Sequence, residues 1–423
     1  MSRFRMKALG LNVLACVVSV LTAAAPQMAQ GHPQKPLDIL YAFADQTDGS
    51  MPVLTARDRH GNLYGFAGGG SLMNCGAIAC GTIFKMAPDG SKTILHSFAG
   101  SPGDGGVPTG LLLDRDGNFY GTTAAGGKDG YGTVFKLAPD GTETVLHFFK
   151  APKRHYSVAP YGIWPQSGVI RGRDGNLYGT AWHGGINNHC GEGGCGLVFS
   201  LSPEGAYRVV YAFKGLGDGC APLAGLVQDA TGNLYGATNG CGHGNYGTVY
   251  KLDPTGAETV LHTFAEGADG NTPISTPVLD SEGNLYGGTL FGGLGCNDDA
   301  GCGVIYKIAP DGTETILYSF KSIQDGFSAI GGLHRDADGT IYGTTSGGGE
   351  KWACNHPNGC GTVFKLTPDG MKTTLHVFLG PEHGDGAFAK SALLPGTGKD
   401  RHILYGTTAD GPGCCGMVFS IAK

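Results

Sequence analysis

A five-residue motif, GNLYG, recurs along this chain at a nearly constant interval. Its closing glycines lie 51 to 63 residues apart. The seven copies, two of them altered and one reduced to ILYG, end at Gly65, Gly121, Gly179, Gly236, Gly287, Gly343 and Gly406. A period of this size indicates a solenoid or a propeller, in which each unit packs on its neighbours.

Each unit contains four strand signals, which are clearest in the second copy. Short runs rich in Val, Thr, Leu and Phe occupy residues 110–114, 119–123, 132–137 and 144–149. Asp-Gly turns join the first run to the second and the third to the fourth, which is typical of β-hairpins. Four antiparallel strands per unit predict the blade of a β-propeller.

The strand count predicts how the ring closes. Seven strands resemble GTVFK, but the chain ends at Lys423 directly after the seventh, where a fourth strand would follow. Residues 39–43, ILYAF, match residues 94–98, ILHSF, which form the fourth strand of the first unit. An N-terminal strand in the last blade would remove the open sheet edges that invite aggregation. The prediction is an all-β, seven-bladed β-propeller, with four antiparallel strands per blade and an N-terminal strand closing the last one.

The repeats resemble those of the GloVer-type tandem-repeat family of exported bacterial β-propeller proteins. The unit of that family reads roughly GGxxGxGTVFKLxPDGTxTxLHxF, and the resemblance extends over nearly all of residues 37–423. It implies the propeller fold and export from the cell, but no particular activity.

The N-terminal residues predict that the protein is exported. Three basic residues precede an apolar run over residues 8–25, so residues 1–30 are predicted to be a secretory signal peptide. A lipoprotein signal with Cys16 is disfavoured, because the apolar run continues past this residue. Residues 37–423 are predicted to form a single propeller domain, periplasmic or extracellular and monomeric, with no membrane span after removal of the signal.

Composition excludes one class of partner. Without the three basic residues of the signal, 26 Lys and Arg face 35 Asp and Glu. A surface of this charge is a poor ligand for phosphate backbones, so no binding of nucleic acid is predicted.

Ten cysteines are predicted to form five disulfides. Four pairs lie between the second and third strands of a unit, with the later cysteine directly before the glycine that opens strand three. A fifth pair links the start of strand one with the end of strand two in the fourth unit, and antiparallel alternation places these two points on one side. The predicted pairs are Cys75–Cys80, Cys190–Cys195, Cys220–Cys241, Cys296–Cys302 and Cys354–Cys360.

The alternative for these cysteines is a zinc site, which needs about four converging ligands. Because the pairs belong to different blades, disulfides are the favoured interpretation in an exported chain. No metal or other cofactor is predicted. Cys414 and Cys415 are adjacent in sequence, and their pairing is left open, since neighbouring Cα atoms are closer than most disulfides allow.

Two further series of residues recur once per unit. An imidazole alternates with a phenol near the end of strand four, which predicts a role in packing or hydrogen bonding. The members of this series are Tyr41, His96, His147, Tyr211, His262, Tyr318 and His376. An aspartate precedes a glycine where the chain enters most blades, and a role in the turn is favoured over a ring of cation ligands.

Departures from the repeat are the best candidates for function, since the scaffold does not require them. They fall in the crossovers between blades and in the loops between strands two and three, which antiparallel alternation places on one face. We call this the loop face, and the side of the tight hairpins the turn face. Candidate catalytic residues are Arg154, His155, Tyr156, His183 and His243, and candidate ligand contacts are Trp182, His189, Asn239 and Trp352.

Aromatic rings beside His, Arg and Asn suit a carbohydrate ligand, because rings stack on sugar faces and polar groups bind hydroxyls. The first functional hypothesis is a non-catalytic binding module of the cell envelope or secretome, whose partner is a glycan or an envelope protein. The alternative is an enzyme acting on polysaccharide, a lyase in which His or Tyr removes a proton and Arg or Lys neutralises the neighbouring carboxylate. A third hypothesis is that these residues are exposed polar residues of loops that bind no ligand.

Overall fold

The fold is described here from a computed structural model. The residues described are 36–45, 47–69, 80–150, 159–185, 189–242, 244–265, 267–296, 301–351 and 353–423. Residues 35–423 form one compact unit. The predicted signal peptide lies outside the described residues. Within them, no helix combines the length and the apolarity needed to cross a bilayer.

The described residues form seven antiparallel sheets, one per blade. The strands of blades one to three are β2 (Ser50–Arg57), β3 (Leu63–Gly68), β4 (Thr82–Met86) and β5 (Lys92–Ser97); β6 (Gly105–Leu113), β7 (Phe119–Gly126), β8 (Thr133–Leu137) and β9 (Glu143–Phe148); β10 (Ile170–Arg171), β11 (Leu177–Ala181), β12 (Leu197–Leu201) and β13 (Tyr207–Ala212). Those of blades four to six are β14 (Val227–Gln228), β15 (Leu234–Thr238), β16 (Thr248–Leu252) and β17 (Glu258–Thr263); β18 (Val278–Leu279), β19 (Leu285–Gly288), β20 (Val304–Ile308) and β21 (Glu314–Ser319); β22 (Leu333–Arg335), β23 (Ile341–Thr345), β24 (Thr362–Leu366) and β25 (Lys372–Val377).

Blade seven joins the two ends of the chain, as the sequence predicted. Its strands are β26 (Ala387–Ala389), β27 (Leu394–Pro395), β28 (Ile403–Asp410), β29 (Met417–Ala422) and, from the N-terminus, β1 (Leu37–Ala42). β1 pairs antiparallel with β29, from Leu37 opposite Ile421 to Ala42 opposite Met417. The seven-bladed propeller with N-terminal closure is therefore confirmed. Among the described parts of the connections are five single turns of 3-10 helix, at Gly191–Gly193, Ile323–Asp325, Ala353–Asn355, Pro381–His383 and Gly398–Asp400.

Packing between strands two and three explains the last glycine of the repeated motif. In every blade, a Cβ atom added to this glycine would lie 2.2 to 2.8 Å from a Phe or Tyr side chain of strand three. In blade two, for example, Gly121 lies against the ring of Phe135, which is fully buried. A methyl group at that position would displace a core ring, so the motif marks the contact that fills each blade.

The first hairpin turn of most blades is stabilised by its own aspartate. In blade two the Asp114 carboxylate accepts hydrogen bonds from the backbone N–H groups of Asp116 and Asn118, and from the Asn118 side chain. Asp58, Asp229 and Asp280 make equivalent bonds in blades one, four and five. These short, similar turns make up the turn face and leave the variable segments on the loop face.

Candidate functional site

Each blade begins with one residue in the left-handed backbone region, and these seven residues form the framework of the loop face. Their φ angles lie between 48° and 60°, which few residues other than glycine adopt. They are Met51, Val107, Trp164, Ala221, Thr272, Ser328 and Phe388. Each backbone N–H donates, over 2.7 to 3.1 Å, to the carbonyl just before strand three of the preceding blade. The left-handed conformation of these residues is therefore part of the hydrogen bonding that links each blade to the preceding one.

The framework fixes the backbone at these positions but not the side chain. Blade three places Trp164 there, with 36% of its surface exposed, while blade four has Ala221 and blade five has Thr272. Because the same backbone accepts Ala or Thr, the fold does not demand a tryptophan. An exposed aromatic side chain that the fold does not demand is a candidate for binding.

Trp164 is the centre of an aromatic cluster on the loop face, formed by Tyr131, Trp164, Trp182 and His183. The Trp164 ring centroid lies 5.8 Å from that of Tyr131, 6.4 Å from that of Trp182 and 5.5 Å from that of His183. Trp182 and His183 are 4.4 Å apart. The backbone holds the cluster together, because the Trp182 N–H donates to the Trp164 carbonyl over 3.2 Å. Blades two and three therefore present one continuous aromatic surface.

His183 is held in a defined orientation within the cluster. Its Nδ1 atom lies 3.4 Å from the carbonyl oxygen of Gly194, and since a carbonyl can only accept, this contact favours the tautomer with the proton on Nδ1. Gly193 has to be glycine here, because a Cβ atom would lie 2.6 Å from Nδ1. Burial lowers the pKa of His183. The ring is therefore neutral at pH 7, with Nε2 as a hydrogen-bond acceptor or proton acceptor.

The other predicted site residues are distributed as follows. Asn239 takes the place of Trp182 in blade four, where its N–H donates to the Ala221 carbonyl over 3.1 Å. His189 is exposed and lies next to Gly215, at the crossover into blade four. Trp164 was missing from the predicted ligand contacts. Five predicted residues lie outside the described part of the chain: Arg154, His155, Tyr156, His243 and Trp352.

A depression of about 290 Å³ lies on the turn face, between blades three and four. Its lining includes Asp174, Tyr178, Arg208 and Asp253. The Asp174 carboxylate accepts from the Tyr178 hydroxyl and from the Asn176 amide, each over 2.6 Å. These bonds repeat the turn bonding of other blades, so the depression follows from hairpin geometry rather than from residues peculiar to blade three.

Six of the seven His and Tyr side chains of the series lie at inter-blade junctions, beside the aspartate of the crossover and the first residue of the next outer strand. The seventh, His147, stacks on Tyr207 with ring centroids 4.0 Å apart, and its crossover contains no aspartate. In one type of junction the first residue of the outer strand is lysine, in Tyr41–Asp48–Lys92 and Tyr318–Asp325–Lys372. The Tyr318 hydroxyl donates to the Asp325 carboxylate over 2.7 Å, and the Lys372 ammonium lies 2.8 Å from the same carboxylate. Burial raises the pKa of Asp325, but the bond to Lys372 outweighs it and holds this pKa below its usual value. In these two junctions the tyrosine hydroxyl performs the hydrogen-bonding role that the sequence predicted.

Two other junctions contain a histidine and two carboxyl groups. They are His96–Asp104–Glu143 and His262–Asp269–Glu314. Burial and the neighbouring aspartate raise the pKa of Glu143 to about 7 and that of Glu314 to about 9. Two carboxyl groups placed so close cannot both ionise without a compensating cation or proton. Sequence reasoning missed the glutamate and lysine members, which belong to the blade after the one that carries the His or Tyr.

Ten cysteines of the described residues are paired within their blades. Disulfides join Cys190 to Cys195, Cys220 to Cys241, Cys296 to Cys302, Cys354 to Cys360 and Cys414 to Cys415. Cys75 lies outside the described residues. Such a number of disulfides is typical of an oxidising compartment, the periplasm or the cell exterior. The disulfide loops carry the carbonyls that accept the inter-blade bonds, for example that of Cys195 to Ala221.

Two disulfides of different blades approach each other closely at one place. The Sγ atom of Cys190 in blade three lies 3.8 Å from the Sγ atom of Cys241 in blade four. The crossover into blade four passes over the blade-three loop, because the Ala221 N–H bonds to the Cys195 carbonyl. The two disulfides are therefore close enough to exchange partners once a thiolate forms.

Peptide mapping under non-reducing conditions tests this pairing. We expect fragments linked by Cys190–Cys195 and by Cys220–Cys241, and none linking Cys190 to Cys241, when thiols are blocked before digestion. Brief treatment with a limiting thiol should produce the Cys190–Cys241 species first, because exchange needs attack on a neighbouring sulfur. Free thiols at these positions before treatment would contradict the pairing.

Comparisons with known proteins agree with the repeat architecture. The profile of the Gloeobacter/Verrucomicrobia repeat family matches residues 30–192 and 185–419. No match was found among the curated proteins. Among solved structures, a gluconolactonase from Xanthomonas campestris is similar, with 14% identity and a TM-score of 0.41, over 93% of this chain and 99% of that one. A luciferin-regenerating enzyme has 11% identity and a TM-score of 0.42, over 92% of this chain and 95% of that one. Similarity at this level assigns no activity to the chain.

Proposed function

Since the chain belongs to the Gloeobacter/Verrucomicrobia repeat family and folds as a closed seven-bladed propeller, we propose that it is an exported binding module for a glycan. The glycan contacts the aromatic cluster of Tyr131, Trp164, Trp182 and His183. The observation that carries this proposal is Trp164, which is exposed at a framework position where the fold does not require an aromatic residue.

The chemistry of the cluster suits a sugar better than an apolar ligand. Two indole rings inclined at 43° provide faces for the C–H groups of a sugar ring. The indole N–H groups donate hydrogen bonds, and His183 Nε2 accepts one, so hydroxyl groups at the rim of a sugar find partners of both kinds. Such a mixture of stacking faces and a few polar atoms is characteristic of ligand sites.

A binding module requires fewer functional groups than a lyase does. A lyase needs a base, an acid and a cation that neutralises the substrate carboxylate. In the described residues of the cluster, His183 supplies a base, because its lowered pKa leaves Nε2 unprotonated at neutral pH. Arg154, His155 and Tyr156 are the candidates for the acid and the cation. β-Elimination is therefore the alternative function, and the experiment has to distinguish it from binding alone.

Replacing Trp182 or Trp164 with alanine should weaken glycan binding. Loss of one stacking face costs about 1 to 3 kcal/mol, which is about 5- to 150-fold in Kd. A glycan panel identifies the ligand, and calorimetry of each variant gives the change. Tyr178→Ala is the matched control, since it removes an aromatic side chain from the turn face of the same blade. Equal losses in Tyr178→Ala and Trp182→Ala would contradict a loop-face site.

Ultraviolet absorbance of unsaturated sugars, followed during the same incubations, separates binding from catalysis. The binding module forms no product. Product that disappears in His183→Ala or Tyr156→Phe would instead establish the lyase. If no glycan binds, the carbohydrate proposal fails and a protein partner on the loop face takes its place.

A further inference from the structure

Two inter-blade junctions bring together side chains that are common zinc ligands. In each junction, one imidazole nitrogen and two carboxylate oxygens lie within 4.8 Å of one another. Histidine nitrogen and carboxylate oxygen form tetrahedral zinc sites, often with three protein ligands and one position for water. The two junctions, His96–Asp104–Glu143 and His262–Asp269–Glu314, have the same composition at the same place in the repeat.

The spacing of these atoms fits a shared ion better than direct hydrogen bonds. His96 Nε2 lies 3.7 Å from an oxygen of Asp104 and 3.9 Å from one of Glu143. The corresponding distances from His262 Nε2, to Asp269 and Glu314, are 3.2 and 3.6 Å. Bonds of about 2.0 to 2.2 Å place the ligand atoms of a tetrahedral zinc site about 3.3 Å apart. Three of the four distances exceed the usual length of a hydrogen bond, about 3.2 Å.

One of the imidazole nitrogens in these junctions has no hydrogen-bond partner. His96 Nε2, which faces the carboxylates of Asp104 and Glu143, is buried and unpartnered among the described residues. Glu143 and Glu314, whose Oε2 atoms face the imidazoles, each have a buried Oε1 atom that is also without a partner there. Buried polar atoms are rarely left without a partner, because the missing bond costs free energy. The side chains keep 12% to 19% of their surface exposed, so an ion and its water ligand can enter.

The related junctions show that a cation belongs at this place. In Tyr318–Asp325–Lys372 the ammonium lies 2.8 Å from the aspartate carboxylate, and a second bond joins it to the Asp325 carbonyl. In both histidine junctions named above, glutamate replaces the lysine and histidine replaces the tyrosine. These two junctions therefore lack the lysine ammonium, and they contain side chains that can bind a metal cation in its place. We propose that each of these two junctions binds one zinc ion in the position of the lysine ammonium.

The ion would connect three segments of neighbouring blades. In the first site these are the outer strand of blade one, the crossover and the outer strand of blade two. Zinc that binds only the folded ring stabilises it by mass action. The role is therefore structural, and it is separate from the aromatic cluster.

The test is a zinc titration of the oxidised, chelator-treated protein, in which disulfides keep the cysteines from acting as ligands. We expect saturable binding of two zinc ions per chain and a higher melting temperature with zinc than with EDTA. Replacing His96 with tyrosine and Glu143 with lysine rebuilds the first junction in the lysine form. This double variant should bind one zinc ion, and the same exchange at His262 and Glu314 should remove the other.

Two single variants make the result decisive. His376→Tyr changes a junction that has Leu37 in place of the glutamate, and it should still bind two ions. Tyr211→His converts Tyr211–Asp218–Glu258 into a third histidine junction, and it should bind three. Absence of saturable binding would overturn the proposal and leave a shared proton as the occupant. Unchanged stoichiometry in both double variants would overturn it as well, since the zinc would then lie elsewhere.

Discussion

Deleting β1, residues 37–42, is expected to lower the melting temperature by about 10 °C or more. The deletion removes a complete strand ladder, from Leu37 opposite Ile421 to Ala42 opposite Met417. Each backbone hydrogen bond contributes about 1 kcal/mol, and the apolar contacts of Leu40 and Tyr41 with the core of blades seven and one add several kcal/mol. In a domain of this size each kcal/mol corresponds to about 1 to 2 °C. The exposed edge of β29 should also cause concentration-dependent association, which light scattering measures.

The matched control is a deletion of equal length just upstream, residues 30–35, which keeps β1. We expect this variant to melt at the temperature of the full chain. If both deletions melt alike, blade seven does not depend on the N-terminal strand, and the closure described here is incorrect.

The second large effect is expected for Lys372→Met. The lysine side chain is only 3% exposed and pairs with the Asp325 carboxylate. Methionine keeps the apolar stem but leaves the Asp325 carboxylate, which is 21% exposed, without its cation. Breaking a buried pair costs about 3 to 5 kcal/mol, and we expect the lower end of this range for this partly buried carboxylate. Chemical denaturation of the two proteins at pH 7 measures the difference.

Lys321→Met is the control for this substitution. The Lys321 ammonium lies 5.9 Å from the Tyr318 ring but outside the ion pair, and surface changes of this kind stay within about 0.5 kcal/mol. Adding Asp325→Asn to Lys372→Met should recover part of the loss, because the unpaired charge is then absent. A Lys372→Met protein as stable as Lys321→Met would show that the junction cation contributes little.

The sequence predicts the number of blades and the closure because these depend on local patterns. Asp-Gly or similar glycine turns and strands like GTVFK recur in most units, and the glycine under the core ring recurs in all seven, so the blades repeat the same information. The inner strands were harder to predict. β10, β14 and β18 contain two residues each, whereas β2 and β6 contain eight and nine, although the left-handed residue is present in all of these blades.

Contacts between blades were the part that the sequence did not reveal. Glu143 and Lys372 lie beside Asp104 and Asp325, the aspartates of the crossovers into their blades, and no short-range sequence pattern connects such residues. The approach of Cys190 to Cys241 has the same origin. Trp164 was detectable, because aligned units place it in the series that also contains Met51 and Phe388. The signal that could have identified Trp164 is an aromatic residue at a framework position that other blades fill with different residue types.

The most direct test of the proposed site uses the fluorescence of its tryptophans. The chain has three tryptophans, so Trp352→Phe leaves Trp164 and Trp182 as the only ones, and both lie in the aromatic cluster. Titration of this variant with the glycan that binds best in the panel should shift the emission. The shift should saturate with the Kd found by calorimetry. Calorimetric binding without any change in emission would place the glycan away from the aromatic cluster and contradict the proposed function.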